Sequence, residues 1–267
     1  MRQLIIRKTN REEQAESRKK LEAALDALKS GSVPVPPEEE IFVGDGSYTL
    51  IAAEFLRYFV EVAGLRPGNT VLDIGCGIGR MAGGLSRYLD ATTGRYVGFD
   101  PILEGIEWCR TAFADRPGFA FHWADIHNEL YNPGGRLSAA NYVFPCDEGT
   151  VDLAIATSVF THLYQRDIRA YLAETARVLK PGGRLFATAY LYKDDRPTSA
   201  SHIAFGTQAT DSVSRWHMEN HPPLAGVCYQ EDYFRGLVMG ACGSEPFIRA
   251  GRWRGGEGPW FQDVVIV

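Results

Sequence analysis

The sequence predicts an α/β protein built on a mostly parallel sheet of seven strands with helices on both faces. Two observations predict it. From Thr70 onward, short apolar runs alternate with longer amphipathic stretches, as in strands buried on both faces and joined by crossover helices. The first of those runs leads into a glycine-rich loop, where such a sheet places its ligand-binding turn. With 267 residues, 45% of them hydrophobic, the chain can bury a large core without disulfide or metal staples.

The elements follow in order. Residues 11 to 29 are highly charged, yet Leu21, Ala24, Leu25 and Leu28 stand at i, i+3, i+4 and i+7, the narrow apolar stripe of an amphipathic helix. Such a stripe suits a solvated arm or a contact with a second copy of the chain. Ser32 to Pro37 and the three glutamates after them break the pattern as a linker. A second helix is expected from Ser47 to Ala63, burying Leu50, Phe55, Phe59 and Val62. Residues 1–64 therefore read as a helical extension and cap, and 65–267 as the core domain. Its strands are expected at Thr70–Ile74, Arg95–Phe99, Ala120–Ala124, Val151–Thr157 and Arg184–Leu191. Between the last two, Ile168, Tyr171, Leu172, Thr175, Val178 and Leu179 keep one helical face, and Pro181-Gly182-Gly183 supplies a stop. A helix at Gln230–Ala241, a strand at Glu245–Ala250 and a run at Trp260–Val267 complete the sheet. Asn128–Glu148 and Tyr192–Tyr229 lack regular pattern, and the second is long enough to predict a substrate lid at 192–229.

Composition excludes several classes. A formal net charge of −5 disfavours binding to a phosphate backbone, so no nucleic-acid partner is expected. The five cysteines are odd in number and form no C-x-x-C pair, which fits a reducing compartment better than a zinc or disulfide framework. Met1 to Lys20 lacks the apolar core of a signal peptide, and no run approaches the roughly 20 apolar residues that span a bilayer. A cytoplasmic enzyme with no membrane partner is expected.

The loop Gly75-Cys76-Gly77-Ile78-Gly79 carries the functional reading. A dinucleotide fingerprint has the form G-x-G-x-x-G, and counting from Gly75 puts Arg80 where its third glycine should stand. Here Asp73 precedes the first glycine by two, giving D-x-G-x-G-x-G. Asp100 closes the second strand, where a carboxylate can accept hydrogen bonds from both ribose hydroxyls of a nucleotide. Trp123-Ala124-Asp125-Ile126 follows the third strand, Thr157-Ser158-Val159-Phe160-Thr161-His162-Leu163 the fourth, and Leu179 to Leu185 comes later. In content and order these five segments resemble the class I, Rossmann-like S-adenosylmethionine-dependent methyltransferases, bacterial small-molecule type, over about Leu65 to Tyr192. The resemblance implies S-adenosyl-L-methionine as cofactor and S-adenosyl-L-homocysteine as product. It places Asp73, Gly75, Cys76, Gly77, Gly79, Arg80, Asp100 and Pro101 at the cofactor, with Ala124, Asp125 and Ile126 at the adenine, Asp125 accepting from its exocyclic amine. Thr157, Ser158 and Tyr48 complete the set.

An oxygen acceptor must lose a proton during attack, so a nearby base helps, whereas an amine already offers a lone pair. His162, at a strand end, is the leading base, with His202 a weaker candidate and His217 and His221 weaker still. Tyr48, Tyr190 and Tyr192 can close over the methyl group or acceptor. His217-Met218-Glu219-Asn220-His221 has two histidines at i, i+4, but Met218 stands where the zinc-protease motif needs Glu, and Pro222 ends any helix; no metal is expected. The fourth strand is not followed by the Asp/Asn-Pro-Pro-Tyr-like segment of amino-directed DNA enzymes, and Pro145-Cys146 precedes that strand. A small-molecule acceptor remains. A hydroxyl of a saccharide or specialised metabolite is favoured over nitrogen, with a nicotinamide oxidoreductase and a non-catalytic binding protein as competing readings. A homo-oligomer would form through the N-terminal helix.

Overall fold

The computed structural model describes residues 11–44, 46–209 and 215–267. Contacts divide the chain into two compact units, Met1–Trp123 and Ala124–Val267.

In the first unit, helices α1 (Arg11–Lys29) and α2 (Tyr48–Glu61) precede β1 (Thr70–Ile74), α3 (Arg80–Tyr88), β2 (Arg95–Asp100), α4 (Leu103–Ala112) and β3 (Phe119–Trp123). The strands lie in the order β3-β2-β1, all parallel, with Asp73 opposite Gly98 and Asp100 opposite Trp123. The stripe on α1, expected to be solvated or to meet a second copy, is buried against α2 and α3 of its own chain. Leu28 approaches to 3.0 Å of where a Cβ on Gly84 would stand, so that glycine lets α1 settle on α3. Polar groups seal the contact: Ser17 and Tyr88 hydroxyls lie 2.7 Å apart, and Lys20 donates to Asp90 at 3.0 Å. The surface expected to hold a second subunit is thus occupied by α2 and α3. Ser47 caps α2, accepting from Leu50 N. The buried face of α2 runs through Ala52, Leu56 and Phe59, while Leu50 is 65% exposed, a correction to the expected set. Tyr48, Ala52, Leu56 and Phe59 repeat at helical spacing toward α1 and α3, and that period leaves Leu50 outside.

In the second unit, β4 (Val151–Ala156), α5 (Gln165–Val178), β5 (Leu179–Tyr192), β6 (Phe205–Gln208), β7 (Arg215–Met218), β8 (Val227–Gln230), α6 (Glu231–Cys242), β9 (Phe247–Arg249) and β10 (Asp263–Ile266) follow one another. β5 pairs in parallel with β4 and β8 and antiparallel with β10, which also pairs with β9. The seven strands expected from the sequence are all present, and three more lie in the stretch read as patternless. There β6, β7 and β8 form an antiparallel ribbon continuing from β5. Each has four residues, too few for an alternation to register. β5 also begins at Leu179 and takes in Pro181-Gly182-Gly183, expected as a helix stop; the pairing with β4 shifts register there, between Val151 and Leu153.

Asp263 ties the end of this unit together. Its buried carboxylate accepts from Leu191 N, Gly251 N, Trp253 Nε1 and Arg254 Nε, at 2.6 to 2.8 Å. Arg254 also reaches Glu231 at 2.8 Å, so the buried charges are paired and hydrogen-bonded.

Candidate cofactor-binding site

β1 delivers its last residues to a loop in which Gly75, Gly77 and Gly79 all have positive φ, at 67°, 54° and 75°. Gly75 N and Cys76 N donate to Phe99 O at the end of β2. Asp100 then bridges two turns: Oδ2 accepts from Gly77 N at 2.8 Å and Oδ1 from Ile102 N at 2.9 Å. Burial pushes its carboxyl up to about 6 although both bonds favour the anion.

Asp73, one strand away, is fully buried. Tyr96 donates to its Oδ2 at 2.6 Å, while Oδ1 has no hydrogen-bond partner among the described residues. Desolvation, with the neighbouring Asp100 charge adding to it, raises Asp73 to about 7. A buried acceptor left open in this way is costly unless a ligand supplies the donor.

Phe42, Val43, Gly44 and Tyr48 lie against the same loop. A Cβ on Gly77 would meet Val43 Cγ1 at 2.5 Å, and one on Gly105 would meet the Phe42 ring at 2.9 Å. Arg80 donates from Nη2 to Gly44 O at 3.0 Å and sits 5.6 Å from the centroid of the Tyr48 ring. Tyr48 in turn donates its hydroxyl to Ile78 O at 2.8 Å. Sequence reasoning placed Tyr48 and Arg80 at the site but passed over Phe42 and Val43. The apolar triplet Ile41-Phe42-Val43 directly after three glutamates was the available signal. Gly79 has a different reason to be glycine, since its Cβ would stand 2.8 Å from Cys109 Sγ. The Cys76 and Cys109 thiols are buried and pushed up, so neither is a thiolate near neutral pH. Pro101 O accepts from Trp123 Nε1 at 3.0 Å.

The second unit holds the remaining sequence-derived residues. Ala124 and Ile126 are buried, and Asp125 between them is engaged by Arg136 Nε at 2.5 Å and Asn132 Nδ2 at 3.4 Å. Arg136 holds the Asp125 carboxyl below its ordinary range. After β4, Thr157 is half-buried, and Ser158 adopts φ +60°, a left-handed conformation that non-glycine residues seldom take. Its N–H donates to Thr188 Oγ1 at 2.8 Å, and Thr188 donates to Gln262 Oε1 at 2.6 Å. Neither partner was indicated by the sequence.

His162 lies in a single turn after β4. Its Nδ1 is 2.8 Å from Leu224 O, an acceptor, so Nδ1 carries the proton and Nε2 the lone pair. Tyr131 OH lies 3.3 Å from that Nε2. Burial lowers the imidazole below its ordinary value, favouring the neutral ring. Tyr190 packs in an aromatic cluster with Tyr192, Phe205 and Trp253, and burial raises its phenol. His202 is exposed and stacked 6.2 Å from Phe261. His217 is on a strand and His221 beyond it, so the two do not share a helix face. Each turns Nδ1 to a backbone carbonyl, Pro223 O and Glu219 O. Among the described residues no cluster of three His, Cys, Asp or Glu side chains could hold a metal ion.

Parallel strands feeding a glycine loop, with an acidic residue closing the next strand, define a Rossmann-like nucleotide-binding α/β fold. Residues 72–187 match the family model described as a methyltransferase domain. That match, over less than half of the chain, supports the likeness to the class I S-adenosylmethionine-dependent methyltransferases. It is 30% identical over 149 residues to an uncharacterised protein of transposon TN4556 from Streptomyces fradiae, covering 56% of this chain and 38% of that one. It is 34% identical over 130 residues to a fatty-acid O-methyltransferase of Mycolicibacterium smegmatis, covering 49% and 38%. In each case the matched region is well under two thirds of the relative's length. The crystal structure of the Pyrococcus horikoshii protein PH0226 shares the fold, with a TM-score of 0.53 at 14% identity over 85% of this chain and 93% of that one. The residues present fit the family's cofactor on one point in particular, the buried Asp73 Oδ1 that lacks a donor.

Proposed function

We propose that this protein transfers a methyl group from S-adenosylmethionine to a small-molecule acceptor, and that the accepting group is a hydroxyl of a saccharide or specialised metabolite. The open buried oxygen of Asp73 carries the cofactor half of this reading. When bound, the cofactor supplies an electrophilic methyl group on a sulfonium. Asp73 accepts from its ammonium end, and Asp100 accepts from ribose hydroxyls with lone pairs not used by Gly77 N and Ile102 N. Tyr48 and Arg80 hold residues 42–44 against the loop and so limit access of water.

For the acceptor, His162 has the attributes of a general base: a neutral ring, Nδ1–H held by Leu224 O, and a lone pair on Nε2. Tyr190 on β5 and His202 before β6 retain a role in shaping the acceptor's surroundings, and the β6–β8 ribbon acts as the lid expected at 192–229. Cytoplasmic location belongs to the same proposal; among the described residues no helix is long and apolar enough to cross a membrane. Support comes from the mycobacterial O-methyltransferase relative as well as from His162. The test is calorimetry with S-adenosylhomocysteine and with NAD, followed by transfer of labelled methyl into hydroxyl-bearing metabolites. Binding of S-adenosylhomocysteine alone, with label in ether linkages that His162→Gln reduces about 100-fold, is the expected result. Binding of NAD alone would sink the cofactor assignment, and label only on nitrogen would sink the acceptor assignment.

A further inference from the structure

Within the second unit, both ring nitrogens of His162 are engaged by groups of the protein itself. Leu224 O can only accept, so its 2.8 Å contact fixes the proton on Nδ1 and leaves Nε2 as an acceptor. The Tyr131 hydroxyl, 3.3 Å from Nε2, is then the donor of that pair. The two rings meet edge to face, with centroids 5.2 Å apart and planes at 87°. The nitrogen that would take an acceptor's proton is thus already covered, and by a group that can itself pass a proton on.

Asn128 ties the pair together from a buried position. Its Oδ1 accepts from Leu130 N at 2.9 Å and from Tyr131 N at 3.0 Å, a side-chain turn that fixes where Tyr131 leaves the backbone. Its Nδ2 donates to His162 O at 3.3 Å. Paired backbone bonds between Asn128 and Asn132, of 3.1 and 3.0 Å, close the same turn. Tyr131 and His162 are each half-buried, and His162 stands just past the carboxyl end of β4, the end of a parallel strand at which ligands bind.

We infer that Tyr131 is a catalytic residue: its phenol oxygen receives the hydrogen bond of the acceptor hydroxyl, and His162 draws the proton through it. This rests on the methyl-transfer reading above. A phenol that donates to Nε2 can accept in turn from another hydroxyl, so the acceptor extends the chain of Leu224, His162 and Tyr131 by one bond. As the acceptor oxygen bonds the methyl carbon and displaces sulfur with its electron pair, the acceptor's proton passes to the Tyr131 oxygen and the phenol's own proton to Nε2. Tyr131 ends neutral, and His162 ends as an imidazolium whose Nδ1–H still meets Leu224 O. Such a relay serves an acceptor that must lose a proton during attack.

The test uses the full chain as wild type, Tyr131→Phe, His162→Gln and the two changes combined. Nitrogen-15 NMR of the free protein, with its imidazoles neutral, should show His162 Nδ1 protonated in wild type and in Tyr131→Phe. The Nε2 resonance should move in that variant to the position of a nitrogen that has lost its donor. Single-turnover transfer from labelled S-adenosylmethionine into a hydroxyl-bearing metabolite extract should form ether label about 100-fold more slowly in Tyr131→Phe. The double variant should lie within about twofold of the slower single one, because a relay broken at one link gains nothing from the other. Unchanged S-adenosylhomocysteine affinity in all three variants shows that they remain folded. An unmoved Nε2 resonance, ether label formed as fast in Tyr131→Phe as in wild type, or losses that multiply in the double variant would each overturn the proposal. Wild type that binds no S-adenosylhomocysteine, or labels only nitrogen, refutes the underlying reading instead, and the Nε2 resonance still reads the bond between Tyr131 and His162.

Discussion

The glycine loop of the first unit and the Asp263 hub of the second are both buried, both anchored on a carboxylate, and built over different distances along the chain. Asp100 meets Gly77 at a sequence separation of 23 residues, whereas Asp263 reaches back 72 residues to Leu191. They also differ in completeness. Every bond of Asp263 is satisfied inside the protein, with four donors on one carboxylate, while Asp73 beside the loop keeps an oxygen open. A closed network buys rigidity; an open one is fit to receive a ligand.

The sharpest way to break this comparison is to remove each carboxylate and ask what is lost. Asp263→Ala should cost about 3–5 kcal/mol of stability, because Arg254 keeps a buried charge and two backbone N–H groups lose their acceptor. Chemical denaturation reads that cost directly. S-adenosylhomocysteine affinity of the molecules still folded should stay within a factor of about two, and a collapse of affinity would erase the distinction. Asp100→Ala should do the converse. Gly77 N and Ile102 N lose a charged acceptor, the loop loses its shape, and S-adenosylhomocysteine binding should weaken about 100-fold by calorimetry. Unaltered binding would show that the ligand does not use this loop.

That difference in span also explains what the sequence disclosed. The motif from Asp73 to Arg80 is read from adjacent letters, and each local strand from Thr70 to Ala156 lies within a residue or two of its expected place. The three strands at 205–230 were missed because a four-residue strand acquires its identity from a partner, here Tyr190 on β5 for Cys228 on β8. Ser158 was legible as a candidate, yet its contacts with Thr188 and Gln262 were not, since the latter is 104 residues away. His162 likewise could be nominated from its strand-end position, but not its bond to Leu224, which comes from the missed ribbon. Val43 went unnoticed for a related reason: its role is steric, against Gly77, and no periodicity announces it.

Acidity sharpens the contrast further. Folding raises Asp73 from 3.8 to about 7 and Asp100 from 3.8 to about 6, so the folded state binds these protons more tightly than the unfolded chain. Stability from these groups is therefore complete below about pH 4, falls as pH rises toward 7, and then levels off. Asp73→Asn should flatten most of that fall, seen as a smaller drop in denaturation midpoint between pH 5 and 7.5 than wild type shows. The same ionisation favours the ammonium group that Asp73 would accept from, so wild-type S-adenosylhomocysteine affinity should increase over the interval in which stability declines. Parallel pH profiles for wild type and Asp73→Asn would refute the assignment of Asp73 as the open acceptor.

The smallest effect tests whether the second unit, too, keeps a strained point for function. Ser158 holds φ +60° without the freedom of glycine, at a cost of about 1 kcal/mol. Its hydroxyl is exposed and makes only a 3.2 Å bond to Gln262, so little is lost by removing it. Glycine also loosens the unfolded chain, an opposing entropic term of about 0.4–1 kcal/mol. The net change in stability for Ser158→Gly should therefore lie within about 0.5 kcal/mol of zero, whereas Ser158→Val, β-branched at a left-handed position, should destabilise by about 2 kcal/mol. Urea midpoints of the two variants, measured together, separate a tolerated conformation from a relaxed one. Equal midpoints would mean that Ser158 is not held left-handed by its bond to Thr188, and that the turn after β4 carries no strain.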